Sequence, residues 1–358
     1  MNNSGLLDLR YWAARCCLAL VATFLTVQFP PHFLNQLSAQ DSPAQLDEPA
    51  WDVVELIELS SKRDVWSPPR TLQLLGEIKR FESEQLDLIE RDGSERTVLP
   101  SRYVVRVVPR WRTAEAAQAH QLYVDGEFDE LLKAVPAALE SNLVQWQQRL
   151  LIAELVQAVE GQGKTRAAGA YFLTLAESQP PPMLFASMPL CWTTREPDPV
   201  LRDVAQRWLE KSDDDAARLL GASWLLFTDE QAAAQQALAK LQSSSNATIS
   251  QLAVAQGWRR VPPPQTMADL PRWFEFRDKL LPPLQLGPTE FMADRLQRIG
   301  QMELAIGEWS RIGSQYSDQP LRCQRALGDA AAQLKRLGRD EEAQRFETWK
   351  IELQKPSQ

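Results

Sequence analysis

The sequence predicts a mainly α-helical protein with a small β-rich unit in front of the helices. Between residues 51 and 110, apolar and polar residues alternate with the two-residue period of strands. From residue 113 to residue 355, apolar residues recur three and four positions apart, which is the period of helices that bury one face. We therefore expect two structural units, one built from strands and one built from helices.

Composition and charge exclude several classes of protein. The hydrophobic fraction of 44% and the charged fraction of 24% are those of an ordinary globular chain rather than a disordered one. The net charge is −8, whereas a surface that binds nucleic acid normally carries a basic excess. We therefore expect no nucleic-acid partner.

Metal-ligating side chains are scarce. The sequence holds two histidines and four cysteines, and they lack the clustered spacing of zinc ligands. Beyond the N-terminal segment, only His120, Cys191 and Cys323 remain. The two cysteines either form a disulfide or stay as buried thiols, and the sequence leaves both interpretations open. It points to no metal, no cofactor and no catalytic residue.

Residues 1–40 have the pattern of an export signal. Arg15 precedes an apolar run over residues 16–29, which is shorter than the roughly 20 residues that span a bilayer. Ala39 suits the last position before a cleavage site. The alternative is an uncleaved membrane anchor, which would place Arg15 inside the span. We expect a periplasmic or secreted protein, with any membrane attachment confined to this segment.

Residues 41–50 are polar and contain two prolines, which predicts a linker. The β-rich unit over residues 51–110 follows. Asp92-Gly93 is the strongest short hairpin signal in the chain, and Gly76 fits a bend in a curved strand. Roughly five short strands over this length predict a small closed barrel.

The order of these strand and turn signals is similar to that of Sm-like and SH3-like barrels. Sm-like proteins often bind RNA. Here Lys79, Arg80 and Arg91 are interleaved with glutamates, so we do not expect that function to carry over.

A repeat covers the C-terminal end of the chain. Five positions recur at an offset of 38 residues, which is 338 minus 300. They are Ala293, Leu296, Ile299, Gly300 and Ala305 in the first copy and Ala331, Leu334, Leu337, Gly338 and Ala343 in the second. This pattern resembles tetratricopeptide repeats, whose usual period is about 34 residues and whose small residues let two helices pack closely. The resemblance implies a solenoid of helical hairpins that binds other molecules.

Further helices are predicted upstream by the same periodicity. Ala119, Leu122 and Gly126 repeat the spacing of the C-terminal copies, and we expect Gly126, Gly300 and Gly338 to be structural turn residues. Prolines separate the helices because proline lacks an amide donor. Residues 183–192 are unusually apolar for a connecting segment and are expected to pack on a neighbour. The predicted helices are 143–159, 165–176, 200–209, 216–227, 230–241, 249–258 and 269–280.

Two motifs suggest ligands on first inspection. Residues 161–165, Gly-Gln-Gly-Lys-Thr, resemble the end of a phosphate-binding loop, but the first glycine of that motif is absent and a helix precedes the segment. We therefore predict a turn between two helices. Asp213, Asp214 and Asp215 precede a helix, and we predict that they cap it rather than bind a cation.

Tryptophan provides the candidate binding residues. Most of the 12 tryptophans have helical spacing and are expected in the core. Three tryptophans near helix breaks are our predicted binding residues, and they are Trp192, Trp258 and Trp273. We expect their rings to line a groove and to stack on a peptide or a sugar.

The function expected from this pattern is non-catalytic. The sequence predicts a protein-binding or scaffolding protein of the periplasm or cell envelope, with a protein or peptide partner in the concave face of the helical array. The alternative is an envelope enzyme that acts on cell-wall glycans and uses the helical superhelix as a platform. A third possibility is a purely structural member of a larger envelope assembly.

Overall fold

A computed structural model describes residues 51–57, 71–91, 93, 96–211, 213–261 and 267–353. All of these belong to one compact unit. Helical residues make up 65% of the described chain, and an antiparallel sheet of five strands precedes the helices. The predicted order of a β-rich unit followed by a helical unit is confirmed. The export segment, the linker over residues 41–50 and Asp92 lie outside the described residues, so those predictions stay predictions.

The five strands form one antiparallel sheet. They are β1 (Asp52–Ile57), β2 (Thr71–Phe81), β3 (Gln85–Glu90), β4 (Arg96–Pro100) and β5 (Val104–Val108). Their order in the sheet is β4-β3-β2-β1-β5. A short 3-10 turn, Ser101–Tyr103, connects β4 to β5.

Gly76 is the position where β2 passes from one partner strand to the other. It pairs with Asp52 of β1 and also with Glu90 of β3. A Cβ atom at position 76 would lie 2.2 Å from the carbonyl oxygen of Ile89. Because that distance is far below van der Waals contact, this close approach of the backbones requires glycine. The predicted bend or bulge at Gly76 stays a prediction.

The sheet is open, which corrects the prediction of a closed barrel. Among the described strands, β4 and β5 are the two edges and do not pair with each other. A helix covers the β2 side of the sheet instead. The indole Nε1 of Trp146 donates to the carbonyl of Ile78 at 3.3 Å, and Arg149 donates to the carbonyl of Phe81 at 3.1 Å. In a closed barrel, further strands would cover this side of the sheet. Here helical residues cover it, so the apolar core of the sheet is shielded although the sheet does not close.

Thirteen α-helices follow in the part of the chain that the structure describes, and none of them is long and apolar enough to cross a bilayer. They are α1 (Ala114–Val124), α2 (Phe128–Glu140), α3 (Gln145–Gly161), α4 (Thr165–Glu177), α5 (Pro199–Glu210), α6 (Asp215–Leu225), α7 (Gln231–Leu241), α8 (Ala247–Trp258), α9 (Leu270–Asp278), α10 (Leu286–Arg298), α11 (Met302–Gln315), α12 (Pro320–Arg336) and α13 (Asp340–Glu352). The helices predicted between residues 143 and 280 have the observed boundaries to within two residues.

Four turns between paired helices share one backbone geometry. Each contains a glycine with φ between +74° and +79°, and these are Gly126, Gly163, Gly300 and Gly338. In each turn the amide after the glycine donates to a carbonyl five residues earlier, as Arg339 does to Leu334 at 2.9 Å. This is the Schellman arrangement that ends a helix. The predicted turn roles of these glycines are confirmed. The segment over residues 161–165 contains the turn between α3 and α4, as predicted.

The apolar side chains form two buried clusters. The first combines the sheet with α1 to α8, and the second belongs to α9 to α13. Trp192 packs against both clusters. The 3-10 segment Pro182–Ser187 contacts β5, α3 and a second 3-10 segment, Pro282–Gln285. In an open solenoid, each repeat contacts only the repeats next to it in sequence. The two 3-10 segments are distant in sequence and contact each other, so the helices here do not form a simple open solenoid.

We predict that Gly338→Val lowers the free energy of unfolding by about 1–2 kcal/mol, because a β-branched residue is strained at positive φ. The matched control is Gly307→Ala in α11, where no atom lies within 4 Å of the added Cβ. This control should be neutral or stabilising by up to about 1 kcal/mol. Urea denaturation measures both. An unchanged midpoint for Gly338→Val would count against the repeat interpretation.

Candidate functional site

An open groove lies between α5 and α7, above α6, and we call it the α5–α7 groove. Its volume is about 710 Å³. Residues of all three helices and the residue before α7 line it. They are Gln206, Leu209 and Glu210 from α5, Arg218 from α6, and Glu230, Ala233, Gln236, Ala237 and Lys240 from α7 and its N-cap.

Aspartate caps fix where the first two groove helices begin. The Asp198 side chain accepts a hydrogen bond from the amide of Leu201 at 2.9 Å, and Pro199 follows it as the first residue of α5. The Asp214 side chain accepts from the amide of Ala217 at 2.9 Å at the start of α6. The predicted capping role of the three consecutive aspartates is therefore confirmed at Asp214.

A glycine lets two of the groove helices pack closely together. A Cβ at Gly221 of α6 would lie 2.5 Å from the carbonyl oxygen of Ala205 and from the amide nitrogen of Leu209, both in α5. The absence of a side chain therefore lets α5 and α6 approach backbone to backbone. On the other wall, Ala233 and Ala237 of α7 are small and leave space above α6.

Part of the charge in the groove is already neutralised. Arg202 donates to the Glu230 carboxylate at 2.8 Å, and Thr228 and Gln206 each donate to it at 2.6 Å. The hydrogen bonds from Arg202, followed by the one from Thr228, lower the pKa of Glu230 to about 2. Glu230 is therefore ionised at any physiological pH.

Arg218 is also engaged within the protein. Its guanidinium lies 3.1 Å from the carboxylate of Asp215, which also accepts a hydrogen bond from Ser244 at 2.6 Å. In contrast, Glu210, Gln236 and Lys240 make no side-chain hydrogen bond or ion pair with the described residues. The groove thus offers a carboxylate, an amide and an ammonium group to a ligand. No group of three or more His, Cys, Asp or Glu side chains in the described chain is placed to hold a metal ion.

The three predicted binding tryptophans lie outside the α5–α7 groove. Trp273 is 8% exposed and stacks on Phe291 with ring centroids 5.9 Å apart. Trp192 is half-buried, and a Cβ at Gly287 would lie 2.1 Å from its ring. Trp258 is half-buried and stacks on Phe276 at 5.5 Å. These contacts give all three rings a packing role, and their binding role stays a prediction.

Trp192 also borders a small apolar cavity where the two buried clusters meet. The cavity volume is about 10 Å³, which is space for about one water molecule and not for a ligand. Cys191 and Cys323 are buried free thiols, so the structure has the thiol alternative rather than the disulfide. Burial raises the pKa of the Cys323 thiol well above its ordinary value.

A polar cluster around His120 was not predicted from the sequence. The His120 Nδ1 lies 2.7 Å from an oxygen of Glu154, a carboxylate that is 4% exposed. The other oxygen of Glu154 has no hydrogen-bond partner in the described part of the chain. Burial lowers the pKa of His120, but the Glu154 carboxylate outweighs it and brings the pKa above its ordinary value.

Comparisons with protein-family models, with curated proteins and with solved structures give no match. Function must therefore be argued from the geometry of the chain itself.

We predict that Asp214→Ala lowers the free energy of unfolding by about 1 kcal/mol, because the amide of Ala217 loses its acceptor at the positive end of α6. Asp213→Ala is the matched control, since Asp213 is exposed and makes no capping bond. It should change stability by less than about 0.5 kcal/mol. Thermal and urea unfolding of both variants measure the difference. Equal effects would contradict the capping assignment.

Proposed function

We propose that this chain is a non-catalytic protein-binding or scaffolding protein, and that the α5–α7 groove receives an extended peptide segment of its partner. The observation that carries this proposal is the combination of an open groove of about 710 Å³ with the polar groups of Glu210, Gln236 and Lys240, which have no side-chain partner among the described residues. Unpaired charges of both signs and a free amide suit the alternating polar groups of a peptide main chain and its side chains.

The repeated turns support a tetratricopeptide-like origin for the helices. Schellman turns at Gly126, Gly163, Gly300 and Gly338 each join two consecutive helices that pack on each other. The strand order, the change of pairing partner at Gly76 and the 3-10 turn before β5 support a relation of the sheet to Sm-like or SH3-like units, in a form that leaves the sheet open. Both relations are part of this proposal.

The proposed location is the periplasm or the cell envelope. This part of the proposal depends on the signal pattern in residues 1–40, with membrane attachment through that segment if it is retained.

The charge state of the groove excludes one role for Glu230, that of the general acid in glycan hydrolysis. Two carboxylates, Glu210 and Glu230, line the groove. A glycoside hydrolase needs one carboxyl group with a raised pKa to act as the general acid. Hydrogen bonds from Arg202 instead hold the pKa of Glu230 at about 2, so this group has no proton to donate near neutral pH.

We predict that Ala233→Arg weakens peptide binding in the groove. Peptides would first be selected from a displayed random library on the full chain, and their affinity measured by titration calorimetry. An arginine at Ala233 fills the groove and should weaken binding at least about tenfold, which is about 1.4 kcal/mol. Ala232→Arg is the matched control, because Ala232 is an exposed neighbour on α7 that does not line the groove.

The control should bind like the unmodified protein. Failure to select any peptide, or equal loss of affinity in both variants, would refute the assignment of the groove as the binding site.

A further inference from the structure

Residues 316–322 of the C-terminal half contact the start of the helical unit, and we call these contacts the seam. The seam joins residues 316–322 to α1, α3 and Pro182–Ser187. The Tyr123 hydroxyl of α1 donates to Gln157 of α3, its nearer acceptor, and lies 3.2 Å from the carbonyl oxygen of Asp318, across 195 residues of sequence. Arg322 donates to the carbonyl of Ala186 at 3.4 Å.

A glycine allows the closest approach in the seam. A Cβ at Gly161, the last residue of α3, would lie 2.2 Å from a methyl carbon of Leu321 in the first turn of α12. Leu321 therefore packs directly on the α3 backbone. The two glycines of this segment are therefore needed for different reasons. Gly161 leaves space for Leu321, whereas Gly163 adopts a positive φ.

Charged groups from three helices meet beside that contact. Arg322 of α12 donates from Nε to the Glu290 carboxylate of α10 at 2.7 Å. Glu160 of α3 faces the same arginine, with Arg325 and Glu290 also close enough to act on it. Burial raises the pKa of Glu160 to about 7; Arg322 and Arg325 oppose this rise, and Glu290 adds to it.

Asp318 lies at the other end of the seam, against the sheet and α1. Burial raises its pKa to about 6, and the next largest influence is Arg106 of β5, which lowers it. A hydrogen bond from Gln319 also lowers it, whereas Glu55 of β1 raises it. The remaining titratable groups that face Asp318 are the phenols of Tyr123 and Tyr316 and the thiol of Cys323.

His120 of α1 does not take part in this linkage. Its ring contacts Trp111 with centroids 5.4 Å apart, and the charged groups that act on it, Glu154 of α3 and Arg106 of β5, do not belong to residues 316–322. Glu160 and Asp318 each have a pKa above the ordinary value for their type, and burial is the main cause of both shifts. Both carboxyl groups therefore bind a proton more tightly in the closed seam than when separation exposes them to water, so protonation stabilises closure and deprotonation opposes it.

We propose that the seam is a pH-controlled clasp, which holds residues 316–322 against α1 and α3 in mildly acidic conditions and releases them as the pH rises above neutral. Closure adds contacts between the two halves of the helical unit to those already made by Trp192 and by Pro182–Ser187 with Pro282–Gln285. Release would free the C-terminal helices from α1 and α3 while both clusters stay folded.

Hydrogen exchange followed by mass spectrometry tests this clasp on the full chain. Protection factors, corrected for the intrinsic pH dependence of exchange, would be compared at pH 5 and pH 8 for segments 117–125, 154–162 and 316–323. In the unmodified protein we expect the protection factors of these three segments to fall by at least about tenfold at pH 8. The reason is that a carboxyl group whose pKa drops by about two units on opening changes the ratio of closed to open seam by up to about a hundredfold. Segment 217–225 in α6, which is outside the seam, should keep its protection.

Two kinds of variant separate the clasp from a general loss of stability. Glu160→Gln combined with Asp318→Asn cannot ionise and should retain most of its seam protection at pH 8, whereas Glu140→Gln on the exposed end of α2 should behave like the unmodified protein. Gly161→Val displaces Leu321 without changing any charge and should give low seam protection at both pH values. It also remains informative if the double variant does not fold.

The clasp is refuted by any of three results. These are equal protection of the seam at pH 5 and pH 8 in the unmodified protein, an undiminished fall with pH in the double variant, and a parallel fall in segment 217–225 that marks global unfolding.

Discussion

Burial of the apolar segment Pro182–Ser187 is the interaction on which the rest of the fold depends. The sequence predicts that the apolar stretch over residues 183–192 packs on a neighbour, and it contacts β5, the turn before β5, α3 and Pro282–Gln285. Met183, Leu184 and Phe185 are each at most 6% exposed. Burial of such side chains contributes about 1.5–3 kcal/mol each, so this short segment supplies several kilocalories at the point where sheet and helices meet. Without it, the sheet would keep α3 as a neighbour and would lose part of its contact with the second half of the chain, because β5 also contacts Pro282–Gln285 directly.

Features encoded locally were predictable from the sequence, and features formed by distant residues were not. The Schellman turns depend on a glycine and the few residues before it, so Gly300 and Gly338 could be assigned from their spacing alone. The helix boundaries agree for the same reason, since caps and prolines act within one turn. Whether the sheet stays open or closes into a barrel depends instead on the residues that cover it. Trp146 and Arg149 bind carbonyls of β2 from 68 residues away, and nothing near the strands in sequence predicts that contact.

The candidate site residues can also be divided into those encoded locally and those brought together from distant parts of the sequence. Asp214 could be recognised as a cap because its partner is three residues away. The pairing of His120 with Glu154 spans 34 residues, and only the packing of α1 on α3 brings the two side chains together. The predicted tryptophans are near helix breaks, as the sequence indicates, but such breaks are also where helices pack end to end. Their rings consequently stack on Phe276 and Phe291 or press against Gly287.

The open sheet has a consequence for association between chains. An edge strand presents unused main-chain donors and acceptors that can template another strand. Here β4 is only five residues long, carries Arg96 at one end and Pro100 at the other, and exposes Val98 between them. A proline offers no amide hydrogen, and so short a strand leaves few main-chain groups for an incoming strand to bond. The β4 edge of the sheet is therefore a poor nucleus for fibrous aggregation.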